Sequence, residues 1–407
     1  MLGEPAVVVG ASLAGLRAAE ALRQHGHDGP LTVVGAEPHL PYTRPPLSKA
    51  LLAGAQEPEH VMLECDAVDA EWRLGVAAVG LDPDRRRVRF DDGSELPYTK
   101  LVLATGSRPR TWPGAGAEVE GVLTLRSLGD ALALRSALAT TDHLAIVGAG
   151  FIGCEVAATA RGHGVEVTLI DVLTAPMAAF GPIAGEACAR LHAAHGVELR
   201  LGRGVAALEG DTRLEAVVLG DGERIVADTA LIALGAVPNV EWLRGSGLAL
   251  RPGVVCDLNC LVAGHEEMAA AGDVAMWPHP LADWELVRVE HWTNAAAQAR
   301  RAAANLLAAP DERVIFDAVP SFWSDQYDVK IQAVGLPGRA ARFAVAEGSV
   351  EDGRFVAVGE RSGRVVAAVG WNAARRIPWY RRVIGEGLSL ADLELALALD
   401  ERALARA

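Results

Sequence analysis

Glycines 148, 150 and 153 stand at G-x-G-x-x-G spacing between the apolar run HLAIV and the helical pattern IGCEVAATARGHG. That arrangement puts unpaired helix-terminal amides at a tight turn, where they suit a phosphate. Asp171 closes the next apolar run, VEVTLID, at the place where a carboxylate accepts hydrogen bonds from ribose hydroxyls. Near the start of the chain the same device occurs in altered form: Gly10-Ala11-Ser12-Leu13-Ala14-Gly15 follows AVVV, and Glu37 is expected to end the second strand. Ser12 replaces the middle glycine and is small enough to leave the pyrophosphate approach open. Two dinucleotide sites in one chain suggest one resident and one visiting cofactor, as hydride transfer between a flavin and a nicotinamide requires.

These turns need strands and helices to aim them, and both copies lie in strand–turn–helix–strand order. Beyond Glu37 the prolines of PHLPYTRPPLSKALLAG stiffen a segment carrying Arg44 and Lys49, which suits a permanently bound cofactor and assigns the resident site to the Gly10 unit. The runs LVLATGSRPR and LIALGAVPN each end in a glycine turn and read as crossovers between domains. AAGDVA places Asp273 after a glycine, and RVEHWTNAAAQARRAAANLL predicts a helix from Thr293 or Asn294 to about Leu307. From Arg313 the segments VKIQAVG, ARFAVAE, RFVAVGE and RVVAAVGWN predict an antiparallel meander, followed by helices over AARRIPWYRRVIGEG and LADLELALALDERALARA.

The chain's 407 residues exceed what one core serves, so three domains are expected, and 51% hydrophobic with 22% charged residues is an ordinary globular composition. A net charge of −14 argues against a nucleic-acid surface. No secretory signal or membrane-spanning run is seen, and a cytoplasmic setting is expected. Cys65, Cys154, Cys188, Cys256 and Cys260 offer no disulfide framework. Cys256 and Cys260 lack companions for a zinc site, Cys154 reads as a packing residue, and no metal is expected. His265, His279 and His291 are dispersed, and most read as packing or surface residues, His291 being set apart by its place within RVEHWTN.

PYTRPPLSK, ATGSRPR, AAGDVA, RVEHWTNA and FWSDQYDVKIQAVG occur in the order that resembles the FAD-dependent NADH:ferredoxin reductases of bacterial oxygenase systems. The resemblance covers nearly the whole chain. It implies an α/β, glutathione-reductase-like fold: two Rossmann-type dinucleotide-binding domains plus a C-terminal α+β domain. The expected boundaries are 1–108 with 237–312 for FAD, 109–236 for NAD and 313–407 for the third domain. It further implies FAD contacts at Gly10, Ser12, Ala14, Gly15, Glu37, Arg44, Lys49, Ala104, Thr105, Gly106, Arg126, Gly272, Asp273, Glu290, His291 and Trp292. NAD contacts are implied at Gly148, Gly150, Phe151, Ile152, Gly153, Glu155, Asp171 and Gly235. Lys49 would lie near flavin N5, and Glu155 would touch the nicotinamide carboxamide and pair with Lys49; two separate solvated charges are the alternative. Relatives that reduce disulfides carry a cysteine pair after the first dinucleotide unit, and RPPLSKALLAG has none.

The implied partner is an acidic [2Fe-2S] ferredoxin serving a cytochrome P450 or Rieske oxygenase, with the reductase a monomer or homodimer. Arg339, Arg342, Arg375, Arg376, Arg381 and Arg382, beside Trp379, form the candidate docking patch near the flavin edge, against a plain solvated basic face. A flavin NADH oxidase and a non-catalytic NADH-binding redox sensor remain alternatives at this level.

Overall fold

β-branched runs without polar alternation become strands buried on both faces, and Ala6–Val9, His143–Val147 and Thr229–Ile232 follow that rule almost residue for residue. In the computed structural model, which describes residues 4–394 and 397, the helices between them are α1 (Leu13–Gln24), α2 (Leu128–Leu138), α3 (Phe151–Gly162), α4 (Pro182–Ala194), α5 (Trp292–Leu307) and α6 (Ile377–Gly385). Helix α5 therefore begins one or two residues before the start read from sequence. Among the described residues no helix is long and apolar enough to cross a membrane.

The chain forms two compact units. The first comprises the chain up to Thr43, Glu59–Arg108 and Ala236–Pro320; the second comprises Arg44–Pro58, Pro109–Gly235 and the chain from Ser321. Residues 44–58 thus group with the second unit, and 313–320 with the first.

In the first unit a five-stranded parallel sheet runs in the order Met268–Ala270, Lys100–Leu103, Ala6–Val9, Leu31–Gly35, Glu71–Leu74. In the second the order is Glu198–Leu201, Glu166–Asp171, His143–Val147, Thr229–Ile232, Val122–Leu123, again parallel. Each glycine turn follows a central strand from which the chain runs to a neighbour on one side and returns later to a neighbour on the other, so successive connections leave in opposite directions across the sheet. In open α/β sheets this switch point at the carboxyl ends of the strands is where ligands bind. The second strand of the first unit ends at Gly35 and not at Glu37, which lies in the following turn.

The second unit also holds an antiparallel sheet ordered Ser321–Gln326, Val329–Gly335, Arg364–Trp371, Arg354–Arg361, Arg342–Ser349. This corrects the simple meander. Arg364–Trp371 is buried along seven residues and takes the centre, while the largely exposed Arg342–Ser349 goes to the edge. Ser321–Gln326 is a further strand, one that the alternation pattern did not disclose. The last predicted helix lies, beyond residue 397, outside the described residues.

Candidate functional site

In the first unit Gly10 adopts φ +122°, and a Cβ there would sit 2.1 Å from the Ala104 carbonyl oxygen; at Gly15 it would sit 1.7 Å from the Gly10 oxygen. Side chains are therefore excluded where α1 meets the sheet, and the chain at Ser12 turns, extended, into α1 as its N-cap residue. Ala14 is buried in the first turn of α1, and a Cβ on Gly272 would lie 3.1 Å from its Cβ. Glu37 is half-buried and accepts a hydrogen bond from Tyr42 Oη. After Lys100–Leu103 come Ala104, Thr105 and Gly106; Thr105 Oγ1 donates to the Asn239 carbonyl and Asn239 Nδ2 returns a bond to the Thr105 carbonyl, both 2.9 Å. Asp273, 8% exposed, accepts from Ser107 Oγ at 2.9 Å.

His291 is the N-cap residue of α5 and Trp292 its first residue. Burial depresses the His291 imidazole to about 4, against the opposing pull of Asp273, so the ring is neutral at neutral pH. Glu290 is exposed and pairs with Arg288. Asn294, buried in the first turn of α5, leaves Oδ1 without a donor among the described residues. The first amides of α5 also lack intrahelical acceptors. Two helix N-termini, a backbone cradle cleared of side chains and an unsatisfied buried amide oxygen fit a dinucleotide with a polar ring system.

The turn of the second unit is built the same way. Gly148 has φ +112°, with a Cβ position 2.3 Å from the Ala233 oxygen, and Gly153 would place one 2.0 Å from the Gly148 oxygen. Gly150, the N-cap residue of α3, is different: its φ is −75° and a Cβ would meet nothing within 4 Å. Folding does not require glycine there, so the open space is what a closely approaching pyrophosphate needs. Asp171 ends its strand half-buried, and its carboxylate accepts from the amides of Ala149 (2.7 Å) and Leu173 (2.8 Å). The carboxylate thus braces the glycine turn while keeping further acceptor capacity. Ile152 is 36% exposed, Gly235 is exposed at φ +85°, and Phe151 opens α3 packed on Phe322 with ring centroids 4.1 Å apart.

Lys49 and Glu155, far apart in sequence, come together: Nζ lies 2.6 Å from Oε2, and Glu155 is only 5% exposed. Ser48 Oγ donates to the same oxygen, and Ser324 Oγ donates to Oε1 at 2.7 Å. Thr159 Oγ1 anchors the segment by donating to the Ser48 carbonyl at 2.9 Å. Arg44 donates to the Arg126 carbonyl at 2.6 Å, and the Arg126 amide is held by Asp130 of the α2 capping box. Sequence reasoning missed Ser48 and Ser324. The signal for Ser324 was its place inside FWSDQYDVKIQAVG.

A buried cluster joins Cys154, Cys188 and His192. Cys188 Sγ lies 3.9 Å from Cys154 Sγ, and its thiol is drawn below its ordinary value by the hydrogen bond to Cys154 and by His192. Both His192 nitrogens are engaged, Nε2 with Gln326 Oε1 at 3.0 Å and Nδ1 with Tyr327 Oη at 3.2 Å. Cys256 and Cys260 are separate buried thiols, both raised by burial, Cys260 to about 12.

Two arginines of the candidate docking patch are committed elsewhere. Arg376 pairs with Glu347 at 2.8 Å and lies over the Trp379 ring, and Arg342 pairs with Glu360. Arg382 reaches Glu386 only at 3.9 Å, both exposed. Arg375 and Arg381 are exposed.

Residues 5–299 match the family model described as pyridine nucleotide-disulphide oxidoreductase, and residues 321–403 match the reductase C-terminal model. The chain is 40% identical to the anthranilate 1,2-dioxygenase system ferredoxin–NAD(+) reductase component of Burkholderia cepacia, covering 95% of both chains. It is 39% identical to rhodocoxin reductase of Rhodococcus erythropolis over 86% of this chain and 82% of that one. Among solved structures, the covalent putidaredoxin reductase–putidaredoxin complex matches with TM-score 0.90 and 33% identity, covering 97% of this chain and 96% of that one.

Proposed function

The chain belongs to the pyridine nucleotide-disulphide oxidoreductase family, and from that premise we propose that it takes electrons from NADH through FAD and delivers them to a [2Fe-2S] ferredoxin serving a cytochrome P450 or Rieske oxygenase. The observation that carries this reading is the buried Glu155 carboxylate near the start of α3, paired with Lys49 and immediately behind a glycine turn shaped for a dinucleotide. The Arg44–Gly54 segment contains no cysteine, which argues against disulfide reduction. Bound FAD supplies two-electron acceptance from a nicotinamide and one-electron release to an iron–sulfur centre.

The residues divide that work. The Gly10–Gly15 turn and α1 hold the resident pyrophosphate, Glu37 the ribose, Asp273 the remaining polar chain, and the α5 N-terminus meets the carbonyl end of the ring system. The Gly148–Gly153 turn receives NADH. Glu155 accepts from its carboxamide and fixes the nicotinamide face, while Lys49 holds that carboxylate in place. Asp171 repels a 2′-phosphate, and the exposed Val172 and Leu173 that follow offer no cation to one, so kcat/KM for NADH exceeds that for NADPH. Equal values would remove Asp171 from the adenosine site. A cytoplasmic setting, where NADH is supplied, accords with five free cysteines.

Docking of an acidic ferredoxin on a chain of net charge −14 needs local positive charge. The exposed Arg375 and Arg381 at α6 supply it, because Arg376 and Arg342 serve the C-terminal sheet instead. The test is NADH-driven cytochrome c reduction across a panel of ferredoxins. With the best acceptor, Arg375→Glu/Arg381→Glu is expected to lower turnover roughly ten-fold, each reversal being worth about 1 kcal/mol or less at a rim. Added salt should weaken the wild type in the same way, and ferricyanide reduction should persist. Absence of activity with every ferredoxin alongside rapid ferricyanide turnover would overturn the partner; unchanged turnover of the double variant would move the docking face.

A further inference from the structure

The FWSDQYDVKIQAVG segment supplies Ser324, Gln326 and Tyr327 to a hydrogen-bond chain whose direction can be assigned. Gln326 Nε2 lies 3.1 Å from Ser324 Oγ and 3.1 Å from Met177 Sδ, and Gln326 Oε1 lies 3.0 Å from His192 Nε2. Glu155 only accepts, so the Ser324 hydroxyl must donate to it, and its lone pairs are then open to the Gln326 amide. With the Gln326 nitrogen donating, its carbonyl accepts from His192 Nε2–H. Nδ1 is thereby left to accept from Tyr327 Oη at 3.2 Å. Every group is used in one sense: Tyr327 donates to His192, His192 to Gln326, Gln326 to Ser324, and Ser324 to Glu155. Ser324, Gln326 and His192 are fully buried, so water does not compete for these bonds, and bonds aligned in one direction strengthen one another.

Lys49 and Ser48 both address Oε2 of Glu155, and of these three donors only Ser324 addresses Oε1. Two donors on one oxygen fix its position but leave the carboxylate able to rotate about it. A donor on the other oxygen removes that freedom. We infer that Ser324 is a positioning residue for Glu155, the terminal donor of a relay by which the C-terminal sheet sets the carboxylate plane presented to the nicotinamide. This rests on the reading of Glu155 proposed above.

The holoprotein variants Ser324→Ala, Ser324→Thr, Glu155→Gln and Ser324→Ala/Glu155→Gln test it. Two readouts serve: the limiting rate of flavin reduction by NADH in stopped flow, and the affinity of the oxidised holoprotein for NAD+ by calorimetry. Loss of a hydroxyl donor to a buried carboxylate is expected to lower the limiting rate roughly ten-fold. It should weaken NAD+ a few-fold and raise the isotope effect with NADH deuterated at the transferred position, with FAD content unchanged. Ser324→Thr, which keeps the hydroxyl, should restore most of the rate. In the Glu155→Gln background Ser324→Ala should add no more than about two-fold, because the carboxylate through which Ser324 acts is already gone. Full additivity would overturn the inference, as would a normal rate in Ser324→Ala alongside a slow Glu155→Gln. A normal rate in Glu155→Gln itself would overturn the assignment of Glu155, a result that the two preceding outcomes cannot mimic.

Discussion

Replacing Lys49 with Met removes the ammonium beside Glu155. Nζ lies 2.6 Å from Oε2, with the two side chains 20% and 5% exposed. At an effective dielectric of about 20 the bare attraction at that distance is ~6 kcal/mol. Desolvation of the ammonium and loss of roughly 2 kcal/mol of lysine rotamer freedom oppose it. Removing one partner of a buried pair costs about 3–5 kcal/mol, chiefly because the other charge is stranded. Here Ser48 and Ser324 still donate to the carboxylate and recover part of that, so Lys49→Met is expected to destabilise the protein by about 2–3 kcal/mol. Adding Glu155→Gln removes the stranded charge, its carbonyl oxygen accepting from one hydroxyl and its NH2 donating to the other. The double variant should therefore return to within about 1 kcal/mol of the wild type. Denaturant unfolding of FAD-saturated protein at neutral pH, followed by circular dichroism, measures all three differences. A Lys49→Met loss below about 0.5 kcal/mol, the range of an exposed pair, would refute the reasoning. So would a double variant no more stable than Lys49→Met, since the cost would then lie in the lost lysine packing.

Gly148→Ala forces a Cβ to 2.3 Å from the Ala233 oxygen at φ +112° and should cost 2 kcal/mol or more, whereas Gly150→Ala meets open space, should leave the melting temperature alone and should raise KM for NADH roughly ten-fold; a normal KM would show that nothing approaches Gly150 closely. His291 is held neutral down to about 4 while the unfolded chain titrates near 6.5. The stability it contributes is therefore complete above about pH 6.5 and is lost as pH falls toward 4, amounting to roughly 3 kcal/mol. His291→Gln should flatten that part of the stability–pH curve, and an unchanged slope would show that the ring protonates in place.

The parts of this molecule that sequence disclosed are those where backbone sterics leave no choice. Gly10, Gly15, Gly148 and Gly153 are glycine because a Cβ would lie between 1.7 and 2.3 Å from a carbonyl oxygen, so the fingerprint is a record of contacts within one short segment. Strand order in the C-terminal sheet was hidden for the opposite reason. Alternation reports that a segment is half-buried, but the central place of Arg364–Trp371 follows from its burial by neighbours on both sides. The site divides along the same line. Lys49 and Glu155 were paired through a family resemblance, since nothing in either local pattern points to the other. Ser48 and Ser324, polar residues of small size, carry no periodic signal at all; what marks them is burial, and burial is a property of the folded chain. The Glu155 carboxylate is where the Pro45–Ser48 turn, α3 and the first strand of the C-terminal sheet meet, so its orientation depends on three segments that acquire their geometry only together. A carboxylate placed by three independent elements is held more firmly than one placed by its own helix, and such preorganisation is what discrimination between two faces of a nicotinamide ring demands.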